Sequence, residues 1–137
     1  MRRTLLSILS CILYLPLAAS AATPAQLQAR YQQEAEAAQP GFAASARRGE
    51  RWFNQAYTHT PQLPSCTTCH TQQPMQPGRH AITGKVIKPL APAANPERFG
   101  DPAKVEKWFG RNCREVVGRE CSAAEKADLL AYLGEVR

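Results

Sequence analysis

Residues Cys66-Thr67-Thr68-Cys69-His70 constrain this chain more than any other segment. A C-x-x-C-H run sets two thiols about one helical turn apart, where each can add to one vinyl group of a porphyrin. The histidine that follows then lies beneath the iron. The segment predicts covalent haem c on Cys66 and Cys69, with His70 as the proximal axial ligand. Three other readings compete. A thioredoxin-like pair needs a βαβ frame, and no strand-rich pattern surrounds this one. A zinc site would enlist Cys113 and Cys121, whose seven-residue gap is wide for a zinc knuckle. A disulfide inside the motif would leave His70 without a role.

The haem reading needs export, and the N-terminus supplies a signal for it. Arg2 and Arg3 precede an apolar run from Leu5 to Leu17, and Ala19-Ser20-Ala21 follows as a small-x-small cleavage site. The run is too short to span a bilayer comfortably. Residues 1–21 therefore read as a secretory signal peptide, with cleavage after Ala21 or Ala22, and 22–137 as one cytochrome c domain. The protein is expected in the periplasm, free of stable membrane insertion once the signal is cut. Cys11 sits inside the discarded run and is a poor match to a lipoprotein cysteine. Without Arg2 and Arg3 the 17 basic side chains fall to 15 against 11 acidic ones, a net of +4. Those charges are interleaved, which argues for a solvated surface and against nucleic-acid binding.

The helices are legible from their ends. Thr23-Pro24 is a cap followed by proline, predicting a helix to about Ala38 that Pro40-Gly41 breaks. A second helix spans about Ser45 to Gln55, and Gly49 in it is expected to let Tyr132 approach closely. Tyr57 to Pro64 reads as a loop. Thr71 to Pro96, rich in proline and glycine without a sustained period, reads as irregular chain wrapping a haem edge. Asp101-Pro102 opens a helix through about Asn112, with Val105, Trp108 and Phe109 at helical spacing. Ser122-Ala123-Ala124-Glu125 is a capping box for a last helix to about Glu135. The sum is an all-α chain with the layout of the small cytochrome c fold, four to five helices around one haem. The haem supplies core that so small a domain could hardly build alone.

The sixth iron ligand is less defined. Met75 is the one methionine after the leader, but it follows His70 too closely to reach across a haem easily. His80 and His59 are chemically suitable and equally ill placed. Asn112 shares a helical face with Val105 and Trp108. Its ordinary reading is a helix C-cap. With Cys66 and Cys69 given to haem, Cys113 and Cys121 are left to pair with each other. So short a loop is worth about 2.5 kcal/mol on the chain-entropy model.

Several stretches resemble the sphaeroides haem protein (SHP) family of monohaem cytochromes c. They include Pro64-Ser65-Cys66-Thr67-Thr68-Cys69-His70, Thr83-Gly84-Lys85, Pro89-Leu90-Ala91-Pro92 and Asn95-Pro96-Glu97-Arg98-Phe99. Val105-Glu106-Lys107-Trp108, Gly110-Arg111-Asn112-Cys113, Gly118-Arg119-Glu120-Cys121 and Glu125-Lys126-Ala127-Asp128-Leu129-Leu130 continue the match in order. The resemblance departs in the Thr71–His80 loop. It implies a class I-type cytochrome whose distal ligand is an asparagine, here Asn112, and whose disulfide is Cys113–Cys121. It further implies that the asparagine leaves on reduction, opening the iron to O2 or NO, and that a diheme cytochrome c is the redox partner. An amide oxygen is a hard, weak donor that suits ferric better than ferrous iron. The expected function is thus electron transfer with gas binding in the reduced state. The alternative is a small haem enzyme, a peroxidase or an oxygen- or nitrogen-oxide reductase. That chemistry wants a distal base and acid, and no spacing places His80 or Arg111 over the iron.

Overall fold

The computed structural model describes residues 22–137. The predicted signal peptide, Cys11 included, lies outside the described residues. Five α-helices carry the architecture: α1 (Pro24–Ala38), α2 (Ala46–Asn54), α3 (Thr67–His70), α4 (Pro102–Asn112) and α5 (Ala123–Glu135). Their starts follow from local chemistry. Thr23 and Gln26 form a reciprocal capping box ahead of α1, with Pro24 in its first turn. Ser45 and Asp101 accept from the backbone N–H groups of Arg48 and Lys104. Ser122 and Glu125 close a second box before α5.

The core forms on α5, which packs against both α1 and α2. Leu27 and Tyr31 of α1, Phe53 of α2, and Leu129, Leu130 and Leu133 of α5 form the centre of the core. Each such side chain contributes about 1.5–3 kcal/mol through removal from water. The close approach at Gly49 differs from the sequence expectation. A Cβ there would collide with the backbone carbonyl of Asp128, not with Tyr132. Tyr132 packs on Phe53 instead, with ring centroids 5.9 Å apart.

Two buried or half-buried carboxylates tie the helices together. Asp128, 6% exposed, accepts from Ser45 N at 2.7 Å and from Arg48 Nε and Nη2 at 2.8 Å, locking α2 to α5. Glu106 on α4 accepts from Tyr31 Oη at 2.6 Å, Arg30 Nη2 at 2.5 Å and Lys126 Nζ at 2.7 Å, joining α1, α4 and α5. Burial raises the Glu106 pKa, but the hydrogen bonds from Lys126 and Tyr31 outweigh it and hold the carboxyl below its usual range. A depressed carboxylate stabilises the fold above its unfolded pKa, and that contribution disappears as pH falls through the folded value. Glu106→Gln is therefore expected to cost about 1 kcal/mol at pH 7. The gap between variant and parent should close in acid; urea melts at neutral and acid pH measure both.

Two segments depart from the sequence expectation. Within 71–96 the chain forms a small antiparallel hairpin, β1 (Gly78–Arg79) and β2 (Val86–Ile87), pairing Gly78 with Ile87 and Arg79 with Val86. Strands of two residues leave no alternation to read. The turn is held by Gly84 at φ +69° and by Arg79, which donates to its carbonyl at 2.6 Å. The second departure follows α4, which does not stop at Asn112. It widens into a π-helical turn over Cys113–Val117, and Gly118 in the left-handed region ends it.

Candidate haem site

The motif turn is shaped by its own neighbours. Ser65 N donates to Thr68 Oγ1 at 3.2 Å, and the Ser65 and Thr67 hydroxyls share a hydrogen bond of 2.7 Å. Cys69 N and His70 N both donate to Cys66 O. The helix ends abruptly because Thr71 takes φ +61° and ψ 169°. That conformation is rare for a residue with a side chain, and here the Thr71 hydroxyl accepts from Gln73 N at 3.0 Å. The hairpin then lies directly on the motif. Gly78 leaves no room for a Cβ against the Cys69 carbonyl, and Ala81 N reaches Cys69 Sγ at 3.4 Å.

The donor chemistry fits a covalent haem. Both motif thiols are free of disulfide partners among the described residues. Burial pushes the Cys66 thiol up to about 12, so it is protonated near neutrality. Burial, followed by the positive charge of Arg98, holds the His70 imidazole down to about 4. His70 is thus neutral and its lone pair available at any ordinary pH, as an iron ligand requires. Phe53 flanks it, with ring centroids 6.5 Å apart. Among the described residues no cluster of three or more His, Cys, Asp or Glu could hold a bare metal ion.

The candidate distal residues fare differently. His80 Nδ1 faces the N–H groups of Ile82 and Thr83 at 3.2 and 3.3 Å, so that nitrogen is committed to the hairpin turn. His59 lies against Gly118, at the end of the π-helical turn. Met75 is in the turn after α3, beside Pro74, whose carbonyl accepts from Leu90 N and Ala91 N. The helical face drawn through Val105, Trp108 and Asn112 splits. Val105 joins Phe109 and Cys113 in the core, whereas Trp108 is 44% exposed and Asn112 exposed. Nor is Asn112 a C-cap. Its backbone is helical (φ −66°, ψ −36°), its side chain caps nothing, and the chain continues in the π-helical turn. Arg111 stacks over the Trp108 ring at 5.7 Å from its centroid and pairs with Glu115 at 2.9 Å.

Behind Asn112, the Cys113 and Cys121 sulfurs come to bonding distance, with their Cα atoms 5.7 Å apart. Thr60 Oγ1 donates to the Glu115 carbonyl at 2.6 Å, so the loop ahead of the motif braces the π-helical turn. In the sequence, Arg98 stands out only as part of the Asn95–Phe99 stretch. Its guanidinium donates to the carbonyls of Pro89 at 3.1 Å (through Nε) and Lys88 at 2.6 Å (through Nη2). No carboxylate pairs with it among the described residues, and its charge is felt at His70. The signal available was a lone arginine after a proline-rich run, which says nothing about where it lands.

An all-α domain built around a C-x-x-C-H turn is the architecture of a small c-type cytochrome. A family model described as a domain of unknown function (DUF1924) matches residues 39–133. The chain is 50% identical over 127 residues to the cytochrome c-type protein SHP of Cereibacter sphaeroides, covering 92% of this chain and 94% of that one. The structure of oxidised SHP, described as an oxygen-binding cytochrome c, superposes with a TM-score of 0.75, covering 82% of this chain and 96% of that one. Oxidised cytochrome c'' of Methylophilus methylotrophus superposes at 0.77 with 38% identity, covering 83% and 94%. The chain belongs to the SHP family of c-type cytochromes. Its fold is the all-α cytochrome fold, and its cofactor is a covalently bound haem c.

Proposed function

We propose that this c-type cytochrome is exported to the periplasm, carries electrons, and binds a diatomic gas, O2 or NO, in its reduced state. The mature domain is 22–137, released from the 1–21 signal. Cys66 and Cys69 hold the haem by thioether links and His70 is the proximal ligand. Asn112 is the distal ligand, and Cys113–Cys121 closes as a disulfide beside it. When bound, the haem supplies the one-electron couple and the gas-binding iron.

The observation that carries this reading is the state of the Asn112 carboxamide. It is exposed, caps nothing, and stands one turn beyond the half-exposed Trp108 on the same helix. The nearest chemical rival, His80, has its Nδ1 committed to its own turn. A carboxamide oxygen is a weak donor to ferrous iron, so reduction favours its release. The freed N–H2 group is then able to donate a hydrogen bond to a diatomic ligand.

Absorption and resonance Raman spectra of the holoprotein in both oxidation states test it, followed by stopped-flow addition of NO. The expected result is a ferric form without a methionine signature and a five-coordinate ferrous form that takes NO rapidly. A six-coordinate ferrous iron that reacts sluggishly would leave a plain electron carrier. Sustained turnover of peroxide would instead favour the small haem enzyme.

A further inference from the structure

The charge of the described domain is not evenly spread. Between Thr71 and Pro96 there are three cations, Arg79, Lys85 and Lys88, and no carboxylate at all. That segment alone accounts for +3 of the net +4 carried by 22–137. The hairpin also holds two of the three exposed large apolar side chains among the described residues, Ile82 at 65% and Val86 at 59%. The cations are left largely uncompensated. Among the described residues Arg79 is engaged only with the Gly84 carbonyl. Lys88 meets Glu97 at 3.9 Å, a contact between side chains more than three-quarters exposed that solvent screens heavily.

Position gives the patch its meaning. Gly78 packs on the Cys69 carbonyl and Ala81 N touches Cys69 Sγ, so the hairpin rests on a sulfur of the haem-binding motif. Small apolar centres rimmed by one sign of charge suit transient complexes, in which electrostatics steer encounter and apolar contact fixes it briefly. We propose that the hairpin 78–88 is the docking surface for a carboxylate-rich face of a protein electron donor. Electrons then enter beside Cys69, the motif cysteine on which the hairpin rests. The inference rests on the electron-carrier part of the reading above.

The test is stopped-flow reduction of the ferric holoprotein by reduced flavodoxin, an acidic protein donor, at low and high ionic strength. The Lys85→Glu, Lys88→Glu double variant is compared with Arg47→Glu, Lys104→Glu. The second pair makes the same charge change on α2 and α4, at residues without ion pairs among those described. Duroquinol, an uncharged reductant, is the control. The expected result is a second-order flavodoxin rate at least ~10-fold lower for the hairpin variant at low salt. The difference should vanish at high salt, and the duroquinol rates should be alike. Equal slowing by both pairs would overturn the proposal, because net charge alone would then suffice. Slowing with duroquinol would overturn it too, assigning the hairpin to the haem surroundings. So would Lys85- and Lys88-dependent binding to phosphatidylglycerol vesicles with unchanged flavodoxin rates. Failure to bind NO would sink the gas-binding reading and leave this one standing; failure to be reduced by either donor would sink the electron carrier itself.

Discussion

Asn112→His is expected to close the iron in both oxidation states and to slow NO binding by the ferrous form at least ~100-fold. Imidazole is a stronger donor than a carboxamide and binds ferrous as well as ferric haem iron. A hundredfold change corresponds to about 2.7 kcal/mol of added barrier, modest for an iron–imidazole bond that must break first. Asn112→Ala should act in the opposite sense. Its ferric form should become high-spin, while NO binding to the ferrous form stays fast. The two variants bracket the wild type and are read by resonance Raman and stopped-flow absorbance. If both gave the parent's ferric spectrum, Asn112 would not be a ligand.

Gly49→Val is expected to destabilise the protein by about 3 kcal/mol or more, the upper end of overpacking costs. The added Cβ meets the backbone carbonyl of Asp128, which cannot rotate away as a side-chain tip could. Moving that carbonyl also disturbs the Asp128 carboxylate, which accepts from Ser45 and Arg48. Thermal unfolding followed by circular dichroism should show a midpoint lower by about 10 °C or more. Gly134→Ala makes the contrast. It lies in α5 with nothing within 4 Å of the new Cβ, and helix propensity favours alanine there by up to about 1 kcal/mol. Equal losses in the two variants would mean that the α2–α5 crossing does not depend on Gly49.

What could be read from the sequence was set by how local the chemistry is. The starts of α1, α4 and α5 were legible because Thr23, Asp101 and Ser122 cap backbone groups within three residues of themselves. The haem motif was legible for the same reason, since five adjacent residues contain its chemistry. The hairpin was not, because its pairing spans residues that carry no period. The π-helical turn was missed because its causes are distant. Thr60 braces Glu115 from the far side of the motif, and Cys121 draws Cys113 from beyond the turn. Gly49 is legible as a point of close approach but its partner is not, since spacing does not reveal whether a backbone or a ring crosses a glycine. Glu106 and Asp128 look like ordinary surface acids in the sequence. Only the crossing of helices gives each three donors.

The Glu106 junction limits how α4 can behave. Its early half is anchored to two other helices, while the sulfurs of Cys113 and Cys121 clamp the residue directly after Asn112. A helix fastened at both ends cannot slide or tilt as a rod. On the proposed reading of Asn112 as distal ligand, movement of its carboxamide would be taken up by χ rotation or within the π-helical turn. Such a step would be small and local, and it would need no rearrangement of the bundle.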